Sequence, residues 1–278
     1  MKKAEGLAIG LLVLVCFFML NNLPIWQNGD SFLAVRQIDV IQISSTWLNH
    51  TTADGSDEAT PETVLFHKNG IEASYPRIVV GGTQDEINQW NHLILTDFNK
   101  ILEIYSFQPF PGPTPAPVEV VPTLLKVTYE IKSNTIEWLS LFYSADFNSS
   151  YSAHPSNLIY TTNLDKRHNQ RLELNDIVKL SDAFVKEFRT WERKASTDDN
   201  KEMETAAQEY INNITDQELL EGLKSADQIG SDNPWGIYSY LTKDGLGISI
   251  EVPNYAGDHV EFEAPFTKLT NFLQPRFR

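Results

Sequence analysis

The residue types that could bind a metal ion are three histidines and two aspartates in the second half of the chain. His154, His168 and His259 lie apart, with Asp165 and Asp258 near the second and the third of them. Specific zinc sites usually have ligands at short loop spacings or four residues apart on a helix. Neither spacing occurs, so we interpret these histidines as scattered surface residues and predict no metal site. An envelope hydrolase or metal-dependent enzyme that uses His154, Asp165 and His259 is the alternative hypothesis.

Short motifs of the common catalytic classes do not occur in the sequence. There is no G-x-S-x-G, no G-x-x-x-x-G-K, no H-E-x-x-H and no G-x-G-x-x-G. The one cysteine, Cys16, lies in an apolar run near the N-terminus. A cysteine nucleophile, an all-cysteine metal site and an intramolecular disulfide are therefore excluded. We predict no catalytic residue and no cofactor, and we expect that the protein is not an enzyme.

Two further groups of side chains could have binding or catalytic chemistry. Glu261 and Glu263 lie on one face of a predicted strand, as a glycosidase pair could, but such pairs usually form the solvated face of an antiparallel sheet. Tyr238, Tyr240 and Tyr255 either line a sugar or peptide groove or pack within the sheet. Packing is the interpretation that we favour for the tyrosines.

The charge balance limits the classes of partner. Of 278 residues, 22 are Lys or Arg and 37 are Asp or Glu, which gives a net charge of −15. Because nucleic-acid affinity comes mainly from clustered Lys and Arg that displace counterions, we expect no nucleic-acid partner. Lys2, Lys3 and Glu5 together contribute +1, so the remainder of the chain carries −16. A cationic partner, or simply a soluble acidic surface, fits this charge.

The N-terminus has the pattern of an export signal. Lys2 and Lys3 precede residues 7–20, which are all apolar or small. Fourteen helical residues span about 21 Å, which is short for a membrane crossing. Since no small-x-small cleavage site follows, we predict an uncleaved signal anchor at residues 1–22 rather than a cleaved signal peptide. The protein would then be a single-pass protein of the cell membrane, with most of the chain extracytoplasmic, either periplasmic or extracellular.

Periodicity in the exported part predicts an α+β fold with a largely antiparallel sheet and helices packed on it. Thr83 and Glu86 form a capping-box pattern before a helix whose apolar residues recur every three or four positions up to Tyr105. The proline-rich segment that follows must be an extended connector. The predicted divisions are an N-terminal strand and acidic linker at 23–62, a strand-helix module at 63–108, the connector at 109–123 and a second domain at 124–278.

The second domain is predicted to contain hairpins with helices between them. Asp244-Gly245 indicates a hairpin turn, because both residues tolerate positive φ. Thr215 and Glu218 repeat the capping box before a short helix. One helix should follow Leu172-Glu173-Leu174 and a short one should lie near the C-terminus. These two helices are expected near 177–191 and 266–272. Strands are expected near 32–43, 64–66, 71–80, 124–131, 136–143, 158–164, 235–241, 246–252 and 260–264.

Two longer segments have a more specific pattern. The first contains SAHP at 152–155, YTTNLD at 160–165 and LELNDI at 172–177. The second contains TKDGLGI at 242–248, VPNYAG at 252–257 and FEAPF at 262–266. Together they resemble the extracytoplasmic domain of the RsiV-type anti-sigma factors, whose exported part is a lysozyme receptor. The non-catalytic N-terminal region of PdaC-type peptidoglycan deacetylases has the same domain, and the resemblance covers roughly residues 64–272.

The resemblance implies a binding domain. About six residues precede the apolar run, where an anti-sigma factor has a cytoplasmic helical domain, and no deacetylase metal-binding domain follows. We therefore expect a non-enzymatic, membrane-anchored domain whose partner is a cationic protein such as lysozyme, or peptidoglycan. The candidate ligand-binding residues are His154, Asp165, Tyr255 and Asp258. Turns are expected at Pro155, Gly245 and Gly257, since proline restricts the residue before it and glycine permits sharp turns.

Overall fold

The structure, a computed structural model, describes residues 58–68, 70–105, 124–148, 154–194, 201–230 and 232–278. The predicted signal anchor at 1–22, the strand at 32–43 and the connector at 109–123 lie outside these residues. None of the helices described is both long and apolar enough to cross a membrane.

Of the two sheets that the described residues form, the larger has the strand order β1-β2-β3-β4-β5-β6. Its neighbouring strands are antiparallel, except that β2 and β3 pair in parallel through residues 71–73 and 125–127. The expected α+β fold with a mostly antiparallel sheet is confirmed. The strands are β1 Thr60–Lys68, β2 Ile71–Val80, β3 Leu124–Asn134, β4 Trp138–Asn148, β5 Ser156–Asp165 and β6 Gln170–Leu172.

The second sheet is fully antiparallel and has the order β7-β10-β9-β8. Its middle strands, β9 and β10, alternate between apolar side chains on one face and Gly, Ser, His or Glu on the other. The apolar face belongs to a hydrophobic core and the other face turns towards the larger sheet. The strands are β7 Glu192–Arg193, β8 Ile237–Leu241, β9 Gly245–Glu251 and β10 His259–Pro265.

Helix α1, Gln84–Tyr105, packs against the larger sheet. The predicted capping box is confirmed: the Thr83 N–H donates to Glu86 Oε2 at 2.8 Å, and the Glu86 N–H donates to Thr83 Oγ1 at 3.4 Å. One stripe of the helix is buried, as the periodicity predicts. The fully buried residues of this core include Ile94, Phe98 and Ile101 of α1 and Leu139, Leu141 and Tyr143 of β4.

Four shorter helices of the described residues, α2 to α5, pack in the core of the second sheet. The capping box of Thr215 and Glu218 is present at the start of the last of them, where the Thr215 N–H donates to Glu218 Oε2 at 2.9 Å. That prediction is confirmed. The helices are α2 Leu174–Ile177, α3 Asp182–Phe188, α4 Lys201–Asn213 and α5 Asp216–Lys224.

Two expected helices differ in the structure. The helix expected at 177–191 is broken, because Val178 is extended, with φ −129° and ψ 155°, and forms a β-bridge with Leu273. The helix expected at 266–272 is wrong, since this segment forms successive turns. Its backbone makes turn bonds, such as that from the Phe272 N–H to the Leu269 carbonyl at 2.8 Å, and the Phe272 carbonyl accepts from the Lys179 N–H at 2.8 Å. The two segments that differ from expectation thus contact each other.

Buried hydrogen bonds connect the facing sides of the two sheets. Ser140 of β4 donates through Oγ to Asn163 Oδ1 of β5 at 2.6 Å and accepts from the Leu241 N–H of β8 at 2.9 Å. Asn163 Nδ2 donates to the Ser239 carbonyl at 2.8 Å. Because these contacts are directional as well as buried, they determine how β8 lies on β4 and β5.

Asp227, in the loop between α5 and β8, is the centre of a buried polar cluster. Its carboxylate accepts from the backbone N–H groups of Leu174 at 2.7 Å and Ser239 at 2.5 Å. Arg171 donates through Nη2 to the Asp227 carbonyl and through Nε to Asp97 of α1 at 2.8 Å. Burial raises the pKa of Asp227 to about 6, against the opposing effect of Ser239, Arg171 and Leu174. The cluster joins α1 to both sheets.

Two glycines of β9 provide space rather than unusual backbone angles. The hairpin at Asp244-Gly245 is confirmed. It was predicted because both residues tolerate positive φ, but Gly245 does not have positive φ. A Cβ there would lie 2.5 Å from the Ala264 carbonyl oxygen of β10. A Cβ on Gly247 would overlap the Tyr240 ring. Both positions therefore require glycine because another group lies close.

Candidate ligand-binding site

Two loops meet at one end of the larger sheet. One is the start of β5 with the residues before it, and the other joins β9 to β10. Asp258 Oδ2 accepts from the Asn157 N–H at 2.9 Å. Asn254 Nδ2 donates to Asp258 Oδ1 at 3.1 Å and to the Pro155 carbonyl at 3.3 Å. These bonds hold the two loops together although about 100 residues separate them in sequence.

The second loop owes its shape to residues that accept left-handed backbone angles. A 3₁₀ helix, Asn254–Ala256, ends at Gly257, which has φ +101°. Asp258 follows with φ +65°, a conformation that Asp and Asn adopt more readily than other non-glycine residues. The Val252 N–H then donates to the Asp258 carbonyl at 2.9 Å and closes the loop. The position expected to form a turn, Gly257, thus has the conformation that glycine favours.

A pocket of about 270 Å³, which we call the inner pocket, opens beside Asp258. Residues from both sheets and from α1 line it. Tyr238, Ser249, Glu251 and His259 come from the face of the second sheet that turns towards the larger one. The full lining is Ile104, Leu158, Ile159, Tyr160, Gly230, Asn233, Gly236, Tyr238, Ser249, Glu251, Asp258 and His259.

A second pocket of about 430 Å³, the edge pocket, also opens beside Asp258. Asn157 there donates through Nδ2 to Ser144 Oγ at 2.8 Å and to the Asp146 carboxylate. Asp258 borders both pockets. The lining residues are Gly70, Glu72, Leu124, Leu125, Lys126, Asp146, Phe147, Asn148, Pro155, Ser156, Asn157 and Asp258.

Negative charge predominates in the inner pocket. Of the described residues that line it, Glu251 and Asp258 are acidic and none is Lys or Arg. Burial and the charge of Asp258 raise the pKa of Glu251 above its ordinary value. A Cβ on Gly236, which has φ +53°, would overlap the Glu251 carboxylate. The lack of a side chain at this glycine therefore makes room for the carboxylate. The pocket is therefore suited to a cation and repels an anion.

Tyrosine and serine hydroxyls supply the neutral polar groups of the inner pocket. The Tyr160 and Tyr105 hydroxyls lie 2.9 Å apart, and burial raises the pKa of Tyr160 to about 12. Tyr238 donates through its hydroxyl to the Gln228 carbonyl at 3.2 Å. Ser249 is 1% exposed, and its Oγ has no hydrogen-bond partner in the structure. Because the hydroxyls stay protonated, they can donate as well as accept.

The structure brings three of the four candidate ligand-binding residues to this end of the sheet. Asp258 borders both pockets, and Tyr255, 68% exposed, lies in the 3₁₀ helix beside it. His154 is exposed and directly precedes Pro155, and its Nδ1 lies 3.2 Å from the Pro155 carbonyl oxygen. Asp165 is at the opposite end of β5, and ten strand residues at about 3.3 Å each separate the two ends by about 30 Å.

Asp165 has a structural position instead. Its Oδ1 accepts from the Arg167 N–H at 3.0 Å and the His168 N–H at 3.1 Å, which fixes the turn between β5 and β6. Its Oδ2 lies 2.7 Å from His168 Nδ1 and accepts from Arg276 Nη1 at 2.8 Å. These contacts account for its acceptor atoms and attach the C-terminal residues to the larger sheet.

The metal-ligand trio of the alternative hypothesis does not assemble. His154 and His259 lie towards one end of β5, and Asp165 lies at the other. In the part of the chain that the structure describes, no group of three His, Cys, Asp or Glu side chains is arranged to hold a metal ion. These positions therefore give no geometric support to a metal-dependent enzyme.

Glu261 and Glu263 do lie on one face of β10, but their interpretation as a solvated face is incomplete. Both lie within hydrogen-bonding distance of the buried Tyr240 hydroxyl, at 2.7 and 2.8 Å. Lys194 Nζ lies 3.1 Å from Glu263 and 3.6 Å from Glu261. Lys132 Nζ lies 4.2 Å from the centre of the Phe142 ring in the same region. The carboxylates therefore belong to an ionic cluster between the sheets.

Sequence reasoning missed Ser249, Glu251 and Tyr160 as pocket residues. A signal was present in β9, where Gly247, Ser249 and Glu251 alternate with buried isoleucines. This alternation indicates a polar face that meets another surface. Identifying that surface requires knowledge of β5, which pairs with β4 and not with β9.

Comparison with known proteins found similar solved structures. No protein-family model matches the chain, and no curated protein matches it. A DUF3298 family protein from Pseudomonas aeruginosa PAO1 is 15% identical, with a TM-score of 0.43, over 79% of this chain and 94% of that one. A DUF3298 family member from Bacteroides fragilis NCTC 9343 is 14% identical, with the same score and coverage. These structural neighbours contain a domain of unknown function, and the RsiV-type resemblance stays a prediction.

Proposed function

We propose that this protein is a non-enzymatic binding protein of the bacterial envelope, anchored in the membrane near residues 1–22 with most of the chain extracytoplasmic. Its partner is a cationic protein, of which lysozyme is the most specific candidate. The observation that carries the proposal is the acidic, tyrosine-lined inner pocket beside Asp258. The net charge of −15 agrees with it, because an acidic protein attracts a basic partner over long range.

The surface around the pocket has the composition of a contact site. Tyr255 is 68% exposed. Asn254, the first residue of its 3₁₀ helix, and Asp258, shortly after it, bond to Pro155 and Asn157 and hold the loop against the start of β5. Exposed tyrosines on a fixed loop contribute strongly to protein interfaces, since they bury a large area with little loss of side-chain entropy. The contact would therefore centre on this loop and extend over both pockets beside Asp258.

A peptidoglycan-related ligand is the second form of this proposal. Soluble peptidoglycan fragments are tested in the same experiment as lysozyme. The envelope-hydrolase alternative rests on His154, Asp165 and His259, and the separation of Asp165 from the other two gives it no support.

Calorimetry of the full 278-residue chain in detergent with lysozyme tests the proposal at about 50 mM and about 150 mM salt. We expect binding that weakens with salt and is lost when the lysozyme lysines are acetylated. Tyr255→Ala should weaken binding about tenfold or more, as the loss of a central tyrosine typically does. Leu65→Ala on β1, which also removes an exposed apolar side chain, is the control and should bind as wild type does. Absence of lysozyme binding at both salt concentrations would remove lysozyme as the partner.

A further inference from the structure

We propose that the inner pocket binds the ammonium group of a single lysine side chain from the cationic partner. The inference rests on the proposed function, because it assigns the position at which that partner is held. It draws on the acceptors that line the pocket, the size of the pocket and its apolar walls.

Ser249 is the most specific of these acceptors. It is 1% exposed, and its Oγ is without a hydrogen-bond partner. A buried hydroxyl without a hydrogen-bond partner destabilises a protein, so a donor that reaches it is favoured. The side chain lines the inner pocket, on the same face of the second sheet as Glu251. A donor that enters the pocket would satisfy it.

The other acceptors match an ammonium group. Lysine has three N–H donors and no acceptor, so it needs about three oxygen atoms around it. Glu251 and Asp258 supply carboxylates. The Tyr238 hydroxyl donates a hydrogen bond to the Gln228 carbonyl and is also hydrogen-bonded to Asn233, and its second lone pair can accept from a further donor. The mutual repulsion of the two carboxylates, which contributes to the raised pKa of Glu251, decreases when a cation lies between them.

The size and walls of the pocket favour one side chain. Its volume of about 270 Å³ is below the range of about 300–1,000 Å³ that is usual for larger ligands. Ile104, Leu158 and Ile159 provide apolar walls, against which the methylene groups of lysine can pack while the ammonium reaches the acceptors. A bare metal ion fits less well, because no three carboxylate or histidine side chains among the described residues are arranged to hold one.

Nα-acetyl-lysine methylamide is the probe, and the norleucine analogue, which has the same shape without the charge, is its reference. Binding to the full chain is followed by calorimetry. We expect weak binding of the lysine probe, with a dissociation constant on the order of 1 mM, and at least tenfold weaker binding of the norleucine analogue. Ser249→Ala and Glu251→Gln should each weaken the lysine probe about tenfold, because each removes one acceptor of a charged donor.

Two controls separate binding from folding. Glu221→Gln makes the same change of charge at an exposed position of α5, outside the pocket, and should bind the probe as wild type does. The unfolding temperature of Ser249→Ala should equal or exceed that of wild type, because this hydroxyl has no hydrogen bond to lose. A fall in affinity without a fall in stability supports the pocket assignment.

Other results would overturn the inference. Equal binding of the lysine and norleucine probes, or wild-type affinity in both Ser249→Ala and Glu251→Gln, contradicts a lysine pocket. Lysozyme that binds wild type and both variants equally leaves the proposed function intact and overturns the pocket assignment alone. Binding of the lysine probe without binding of lysozyme supports the pocket and removes lysozyme as the partner. Binding of peptidoglycan fragments, sensitive to both variants, without lysozyme binding overturns the assignment to a protein lysine.

Discussion

The Asp258 carboxylate accepts a hydrogen bond from the Asn157 N–H at 2.9 Å and so fastens the loop after β9 to the start of β5. Asp258→Ala removes this acceptor and places alanine at φ +65°, which strains the backbone. We expect the free energy of unfolding to fall by about 2 kcal/mol, measured by urea denaturation. Asp258→Asn keeps a side-chain carbonyl oxygen as acceptor and tolerates the positive φ. Its free energy of unfolding should therefore fall by less than half as much as that of the alanine variant. An alanine variant as stable as wild type would contradict the fastening role.

Replacement of Arg171 tests the buried polar cluster. Arg171→Met leaves the Asp97 carboxylate, which is 4% exposed, without its cation, and removes the donor to the Asp227 carbonyl. Breaking a buried ion pair on one side typically lowers the free energy of unfolding by about 3–5 kcal/mol, and we expect a loss of that size. Arg77→Met breaks the exposed ion pair with Glu62 and should change the free energy of unfolding by less than about 0.5 kcal/mol. Similar losses of unfolding free energy in the two variants would show that burial of an ion pair does not increase the cost of breaking it.

The raised pKa of Asp227 predicts a dependence of stability on pH. Its folded pKa of about 6 exceeds the value of about 3.9 in the unfolded chain, so between these values the folded state binds more protons. The contribution of Asp227 to the free energy of unfolding is complete below about pH 4 and is lost as the pH rises to about 6. Its total is on the order of 3 kcal/mol.

Asp227→Asn should remove that part of the dependence. Groups such as Glu251, whose pKa is also raised, and Glu218, whose pKa is lowered, change the curve of both proteins equally. The measured quantity is therefore the difference in unfolding free energy between wild type and variant, from chemical denaturation at about pH 4, 5, 6 and 7. A difference that stays constant with pH would show that the folded pKa is not raised.

Gly247→Ala tests the close approach between β9 and β8. A Cβ at this position would overlap the Tyr240 ring, which is completely buried. We expect a loss of about 3 kcal/mol in unfolding free energy, at the upper end of overpacking effects. In a Tyr240→Leu background the same alanine should be tolerated better, because the ring is gone. A double-mutant cycle measures this coupling, and additive losses would contradict steric conflict as the cause.

The elements that the sequence predicts correctly are those with local signals. The box of Thr83 and Glu86 lies within four residues, and the helix that it begins has an apolar stripe over its whole length. The break at Val178 could not be predicted in this way. It depends on a bridge to Leu273, about 95 residues away, and no local propensity contains that information.

Only part of the candidate site could be predicted from the sequence, because contacts between distant segments bring some of its residues together. Asp258 and Tyr255 belong to a loop with a recognisable sequence pattern, and the structure places both beside the pockets. Asp165 ends a pattern that proves to be the second half of β5, and its side chain fixes the turn after that strand. Ser249 becomes noticeable only when its buried hydroxyl is seen without a partner, which is a property of the packed sheets.

The parallel pairing of β2 with β3 has a consequence for the order of folding. Ile71 pairs with Leu125, 54 residues later, and the parallel register covers three residue pairs, whereas β3, β4 and β5 follow one another through short connections. Closing the longer loop has the larger entropic cost and slows formation of the contacts that depend on it. We expect the amide hydrogens of β4 and β5 to become protected from exchange first during refolding. The amide hydrogens that bond across to β3, such as the Leu125 N–H that donates to the Gly70 carbonyl, should become protected later and, in the native protein, exchange through openings of lower free energy.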